Sequence, residues 1–253
     1  MDQETLYDLM VDLHLEGARQ GPGSDAETRR ALELTRLDTD SALQVADIGC
    51  GTGASTLTLA TALPQARITA VDLFPRFLEA LADRAQMLGC ADRVERCAQS
   101  MDALRFEPES LDLVWSEGAV YNMGFGAGVA AWSEFLRPGG VLAVSEITWL
   151  APDPPAEIRD YWNAEYPEIA TAPEKIAILE RAGYDLQGYL VLPPACWLEN
   201  YYEPTSRRLQ GFLERHAGRA EAVEIAGMER QEAALYRRYQ DWFSYGFYVA
   251  RKR

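Results

Sequence analysis

Nine residues constrain this chain more than any others: Val45-Ala46-Asp47-Ile48-Gly49-Cys50-Gly51-Thr52-Gly53. An apolar strand runs into an acid, three glycines alternate through a turn, and Ala54-Ser55-Thr56-Leu57-Thr58-Leu59-Ala60 opens a helix. Alternating glycines let the backbone turn sharply and lie against a ligand with no side chains in the way. The helix start beyond them offers unpaired N–H groups and the positive end of a dipole. A second apolar segment, Arg67-Ile68-Thr69-Ala70-Val71-Asp72, ends in an acid 19 residues after Gly53. This is the strand, glycine loop, helix, strand and acid layout of a nucleotide site, in which the second acid accepts hydrogen bonds from ribose hydroxyls. The loop is G-x-G-x-G rather than the G-x-G-x-x-G of dinucleotide sites, which disfavours a nicotinamide dehydrogenase.

Strand and helix signals alternate through the core. Pro75 marks a helix start, Phe77, Leu78, Leu81, Ala82, Ala85 and Leu88 form its apolar face, and Gly89 ends it. Strands are expected near 94–97, 111–115 and 141–146, with a helix from about 128 to 136 and a tight turn at Arg137-Pro138-Gly139-Gly140. Such alternation implies a doubly wound, mostly parallel sheet. Two helices precede the first strand, broken at Gly21-Pro22-Gly23, with Ser24 or Asp25 capping the second. A helix from Pro173 leads to a strand at 184–192, and a final strand is expected at 245–250. The intended organisation is an N-terminal helical cap (1–40), an α/β core (41–192), an aromatic, helical insertion (193–243) and a last core strand (244–253).

Composition narrows the function. The chain has 253 residues, 48% of them apolar, enough for one elaborated α/β domain. A net charge of −15 and scattered arginines, with Lys175 and Lys252 the only lysines, argue against a nucleic-acid partner. Cys50, Cys90, Cys97 and Cys196 have no C-x-x-C spacing and only His14 and His216 beside them, so no metal site is expected. The cysteines read as reduced thiols. With an acidic start, Met1-Asp2-Gln3-Glu4, and no apolar run of spanning length, a cytoplasmic protein off the membrane is expected, as monomer or homodimer.

The Asp47–Gly53 segment resembles motif I of the class I S-adenosylmethionine (SAM)-dependent methyltransferases. Gln99-Ser100-Met101-Asp102-Ala103-Leu104-Arg105-Phe106 stands where that family has its adenine-lining loop. Leu111-Asp112-Leu113-Val114-Trp115 is similar to its D-x-V strand, and Leu136-Arg137-Pro138-Gly139-Gly140 to its L-x-P-G-G turn. The likeness covers roughly residues 40–150 well. It implies a seven-stranded sheet of order 3-2-1-4-5-7-6 with the seventh strand antiparallel, SAM as methyl donor and S-adenosylhomocysteine (SAH) as product. A narrower likeness to bacterial small-molecule methyltransferases rests on Gly21-Pro22-Gly23-Ser24, Ser116-Glu117-Gly118-Ala119-Val120-Tyr121-Asn122 and Trp197-Leu198-Glu199-Asn200-Tyr201-Tyr202.

The resemblance implies cofactor contacts from Asp47, Gly49, Cys50, Gly51, Thr52, Gly53, Asp72, Leu73, Ser100, Met101, Asp102 and Ser116. Either Ser100 or Asp102 meets the adenine, and Asp47 either holds the cofactor's amino group or braces loop N–H groups. Ligands of open α/β sheets sit outside the carboxyl ends of the strands. That places Glu117, as base or substrate anchor, and Tyr121 beside the acceptor. His14 is a third catalytic candidate, and Tyr7 and Arg19 lie on the helices that fold over the site. The acceptor is a small molecule, its atom (O, N, S or C) open. Two rivals remain: transfer of another group from a SAM derivative, and a non-catalytic SAM-binding module.

Overall fold

The computed structural model describes residues 2–253. Two helices come first. Helix α1 (Gln3–His14) is capped by the Asp2 carboxylate, which accepts from Thr5 N at 2.8 Å, and α2 (Asp25–Thr35) by the Ser24 hydroxyl, which accepts from Glu27 N at 3.1 Å. Ser24, not Asp25, is thus the cap. Then β1 (Gln44–Ile48), α3 (Ala54–Ala62), β2 (Arg67–Asp72), α4 (Pro75–Met87), β3 (Val94–Ala98) and β4 (Leu111–Glu117) alternate. After a short 3-10 turn at Val120–Asn122 follow α5 (Phe125–Ser133), β5 (Leu136–Trp149), α6 (Ala156–Glu165), the two-residue β6 (Ala170–Thr171), α7 (Ala172–Arg181) and β7 (Tyr184–Val191). The chain closes with α8 (Pro194–Trp197), a π-turn at Leu198–Tyr202, α9 (Glu203–Arg215), α10 (Ala220–Tyr239) and β8 (Phe243–Lys252).

The sheet runs β3-β2-β1-β4-β5-β8-β7, with β8 antiparallel to both neighbours and the others parallel. This is the expected order, with β7 and β8 as the sixth and seventh strands. The small β6 adds an eighth strand, pairing with the end of β5 at Thr148 and Trp149. Successive side chains of a strand point to opposite faces. Leu113, Trp115 and Ala143 accordingly enter one apolar layer, while Val114, Leu142 and Val144 enter the other.

Among the boundaries that differ from expectation, two have a clear cause. Helix α5 starts at Phe125, three residues early, because Gly124 (φ +84°) makes the turn and Gly128 lets the helix lie on Val120. Strand β5 begins at Leu136, which pairs with Leu111 before the expected turn bulges out. The register resumes at Val141, with Gly139 at φ +79°.

The insertion between β7 and β8 is tied at its base by Leu192 N donating to Tyr245 O at 2.9 Å. Its helices do not stand alone. Leu209 and Phe212 of α9 and Ala222 and Ile225 of α10 share an apolar cluster with Leu9 and Leu13 of α1. Asn200 Nδ2 donates to Gly23 O at 2.8 Å. The first and last helical segments therefore meet at the carboxyl end of β4 and β5, where Phe243 pairs with Trp149.

Candidate active site

A cavity of about 1060 Å³ opens at the carboxyl ends of β1, β2 and β4. Its floor is the glycine loop. Gly49, Gly51 and Gly53 have φ of +76°, +54° and +90°, a region that penalises any Cβ. Space forbids one as well: at Gly49 it would strike Ala119, at Gly51 the Gln20 side chain, and at Gly53 Leu81. The N–H groups of Gly49 and Cys50 both donate to Val71 O, at 2.8 and 3.0 Å, which fastens the loop to β2.

Asp72 ends β2 at the cavity wall. Its two carboxylate oxygens accept from Gly51 N at 2.8 Å and Phe74 N at 2.9 Å. Each keeps a free lone pair for a ligand hydroxyl. Burial pushes its pKa up, against the pull of those N–H donors. Leu73 beside it is 47% exposed, facing the cavity. Ser100, Met101 and Asp102 form the opposite lip, fixed by Trp132 Nε1 donating to Met101 O at 3.2 Å.

Of the other expected cofactor residues, Cys50 lines the cavity, and its thiol is pushed well up by burial. Asp47, Thr52, Gly53 and Ser116 stand behind the wall. Asp47 is fully buried and braces no loop N–H group. Its Oδ2 instead accepts from the hydroxyls of Ser55, at 2.7 Å, and Thr56, at 2.6 Å, because those side chains turn inward from the first turn of α3. Its Oδ1 has no partner, and burial pushes its carboxyl up to about 7. Ser116 Oγ donates to Ile48 O, pinning β4 to β1 at the cavity's back.

The N-terminal segment forms the roof. Tyr7, Asp8, Gln20 and Pro22 line the cavity. Gln20 Oε1 accepts from Thr52 N at 2.8 Å. Arg84 of α4 donates to Thr52 Oγ1 at 2.5 Å and to Gly17 O at 3.0 Å. Neither Gln20 nor Arg84 was singled out in the sequence. The Gly21-Pro22-Gly23 break places a turn there but does not say over what it folds.

Glu117 lines the cavity, its carboxylate held by three donors: Arg19 Nη1 at 2.8 Å, Thr28 Oγ1 at 2.6 Å and Trp115 Nε1 at 3.0 Å. Tyr121 is also at the wall, its ring set edge-on to Tyr166. Burial of its hydroxyl pushes the phenol up, so it stays protonated. His14 is not at the cavity. It is buried, with Nε2 3.2 Å from Glu229 Oε1 and its ring stacked on Tyr201, because α1 turns this face toward α10.

The donor set suits SAM. Glycines that a Cβ would clash with, a strand-end carboxylate with free lone pairs, and a buried carboxylate oxygen with no partner behind the loop all match a ligand carrying a ribose and an ammonium group. Comparison with known proteins agrees. A family profile described as a methyltransferase domain matches residues 45–140. The trans-aconitate 2-methyltransferase of Escherichia coli (strain 55989 / EAEC) is 30% identical over 215 residues, covering 81% of this chain and 79% of that protein.

The chain belongs to the class I SAM-dependent methyltransferases.

The fold itself is shared with solved structures. A SAM-dependent methyltransferase from Geobacter sulfurreducens, solved in complex with SAH, superposes with a TM-score of 0.84 at 20% identity, covering 97% of this chain and 98% of that one. Some other relatives match over a shorter stretch. The malonyl-[acyl-carrier protein] O-methyltransferase of Dechloromonas aromatica is 35% identical over 101 residues, 40% of this chain and 35% of that one. The chain spans between 24% and 35% of the length of such core-matching relatives.

Proposed function

We propose that this protein methylates a small molecule at the expense of SAM, within the cavity between the glycine loop and the N-terminal roof. The observation that carries the reading is the adjacency of Asp72 and the glycine loop to Glu117 and Tyr121 around one space. Asp72 would take the ribose hydroxyls, the loop from Gly49 to Gly53 the methionine half, and Ser100, Met101 and Asp102 the adenine. SAM supplies a methyl carbon already activated by its sulfonium, so the protein's task is chiefly alignment and exclusion of water.

Glu117 acts in this reading as an anchor rather than a base. Three donors occupy its carboxylate, and through Arg19 and Thr28 it ties the N-terminal roof to the end of β4. Tyr121 offers a hydroxyl to the acceptor. His14 supports the roof through Glu229. The insertion serves as acceptor cap, supported by its packing on α1 and by Asn200, which donates to Gly23 O beside the roof. Four free cysteines suit a reducing cytoplasm, and no described helix is long and apolar enough to cross a membrane. A monomer or homodimer suffices, because the roof and walls come from one chain.

The test is incubation with methyl-labelled SAM and a metabolite extract. Label must move to a low-molecular-weight product with SAH formed in equal amount. SAH without labelled product, or SAM binding with neither, would refute the reading.

A further inference from the structure

The sequence holds two histidines, and both stand at one interface. His14 is the last residue of α1, and His216 caps the C-terminal end of α9. His14 is buried, with Nε2 3.2 Å from Glu229 Oε1 on α10. His216 Nε2 is 3.0 Å from Asp12 Oδ2 on α1. Each imidazole thus faces a carboxylate across the seam between the N-terminal helix and the insertion. Each also closes a helix at its carboxyl end, where the dipole favours a positive charge.

We propose that the two pairs form a pH-sensitive clamp on α1, tight when both imidazoles are protonated and looser as pH rises through neutrality. The proposal rests on SAM occupying the cavity under α1, and it adds a regulation to that reading.

Helix α1 depends on this seam. Its first half faces the cavity with Gln3, Glu4, Tyr7 and Asp8. Toward the cavity wall it has the edge-on contact of Tyr7 with Phe74, centroids 5.2 Å apart, and the long Asp12–Arg76 pair at 3.8 Å. Toward the insertion it buries Leu9 and Leu13 against Leu209, Phe212, Ala222 and Ile225. Arg208 Nε of α9 also donates to Leu13 O at 3.1 Å. The insertion is itself anchored, since Ala233, Tyr236 and Tyr239 of α10 enter the apolar layer that holds Trp115. A weaker seam therefore lets α1 lift from the donor while the insertion stays in place.

Histidine is the side chain whose charge ordinarily changes between about pH 5 and 8. As an imidazolium, each ring makes a charge-assisted hydrogen bond to its carboxylate, about twice as strong as a neutral one. The arginines at the seam keep their charge throughout. At His216 these are Arg215 of α9, whose Nη2 is 2.8 Å from Asp12 Oδ2, and Arg76 of α4. Burial pulls the Asp12 carboxyl up, but the hydrogen bonds from Arg215 and His216 outweigh it and hold the group below its ordinary value, so it stays ionised. At His14 the neighbours are Glu229 of α10, Arg208 of α9 beside Leu13, and Tyr201 of the π-turn. The Tyr201 ring is stacked on the imidazole at 6.0 Å, and burial keeps its phenol protonated.

Untagged protein tests the clamp in two ways. Release of SAH, followed in stopped flow from about pH 6 to about pH 8, should speed up about fivefold or more. Asp47 and Glu232, which burial pushes up to about 7, titrate in the same range, so variants make the assignment. In the His14→Gln/His216→Gln double variant the rise should fall below half that of the wild type. A wild-type rate that does not rise, or a double variant that keeps more than half of the rise, would overturn the clamp. The second measurement needs no variant. SAH holds α1 down, so by the reciprocity of linkage it should make both imidazoles harder to deprotonate. Neither ring lines the cavity, so the change reports the seam and not contact with SAH. The two imidazole proton resonances should therefore titrate at higher pH in the SAH-bound protein than in the free one. Titration curves that SAH leaves in place would overturn the clamp even where the double variant does not fold. Failure of SAH itself to bind would instead bring down the methyl-transfer reading, and the clamp's role with it.

Discussion

Replacing Asp47 with asparagine should flatten the pH dependence of stability in the ligand-free protein. Asp47 is fully buried, two hydroxyls donate to one of its oxygens, and the other oxygen is bare. Burial is the main cause of its high value, about 7 against an ordinary 3.8, with the Glu117 charge adding to it and the Arg19 charge opposing. The sign follows from linkage. Below about pH 4 the group is protonated in both folded and unfolded chains and contributes no slope. Between about 4 and 7 the unfolded chain has lost the proton and the folded chain keeps it, so stability falls as pH rises. Above 7 both are ionised and the full cost remains. A rise from 3.8 to about 7, at about 1.36 kcal/mol per pH unit, comes to about 4 kcal/mol, and water reaching the site would trim it toward about 2.

Asparagine keeps an acceptor for Ser55 and Thr56 but does not titrate. Its own fixed cost shifts the whole curve, so the informative quantity is the difference between variant and wild type as a function of pH. That difference should move in favour of the variant by about 2–4 kcal/mol between pH 4 and pH 8, read from urea unfolding at several pH values. Glu232, Glu146 and Asp72 are also pushed up by burial, but they contribute alike to both proteins and cancel. Parallel curves for the two proteins would refute a buried, high-pKa Asp47. With SAM added the order should reverse, because the ligand's ammonium compensates the wild-type charge and finds none in the variant.

Asp72→Ala should weaken SAM binding by about 1–3 kcal/mol in calorimetry, since both ribose acceptors and the brace on Gly51 N are lost; unchanged affinity would remove Asp72 from the ribose site. Gly51→Val should abolish SAM binding while the protein still unfolds cooperatively, because φ is +54° and Gln20 fills the space. Arg84→Ala should release the roof from Thr52 and Gly17 and raise the SAM dissociation rate about tenfold in stopped flow; an unaltered rate would mean that the roof does not gate the donor. Glu117→Gln should cost about 1–3 kcal/mol of stability by stranding Arg19, and raise the acceptor KM more than it lowers kcat. A collapse of kcat with KM and melting temperature intact would make Glu117 the base after all.

The glycine loop and the acid that ends β2 were legible because their requirements are local. A backbone that must hold φ above zero three times in five residues needs Gly49, Gly51 and Gly53, and a carboxylate at a strand end must directly follow Val71. The sheet order was legible for a similar reason. Parallel strands require crossovers, and the alternating apolar segments leave few ways to wind them. The acceptor half has no such local signature. Glu146 and Lys175 lie on β5 and α7, and nothing in the spacing of 146 and 175 tells that they pair. His14 stood out as one of two histidines, yet its register on α1 turns it toward Glu229 and Tyr201. Rarity drew notice to a residue whose place was decided by helix packing.

The division has a physical consequence for what the family can vary. The glycine loop serves a ligand common to all its members and is built from backbone, which tolerates little change. The insertion and α1 are held to each other by an apolar cluster that can be kept while polar positions change. In this chain those polar positions supply tyrosine hydroxyls and carboxylates, with the cations already paired. In the insertion those positions include Glu232, which accepts from the Tyr202 hydroxyl at 2.8 Å, and Asn200, which donates to Gly23 O beside the N-terminal roof.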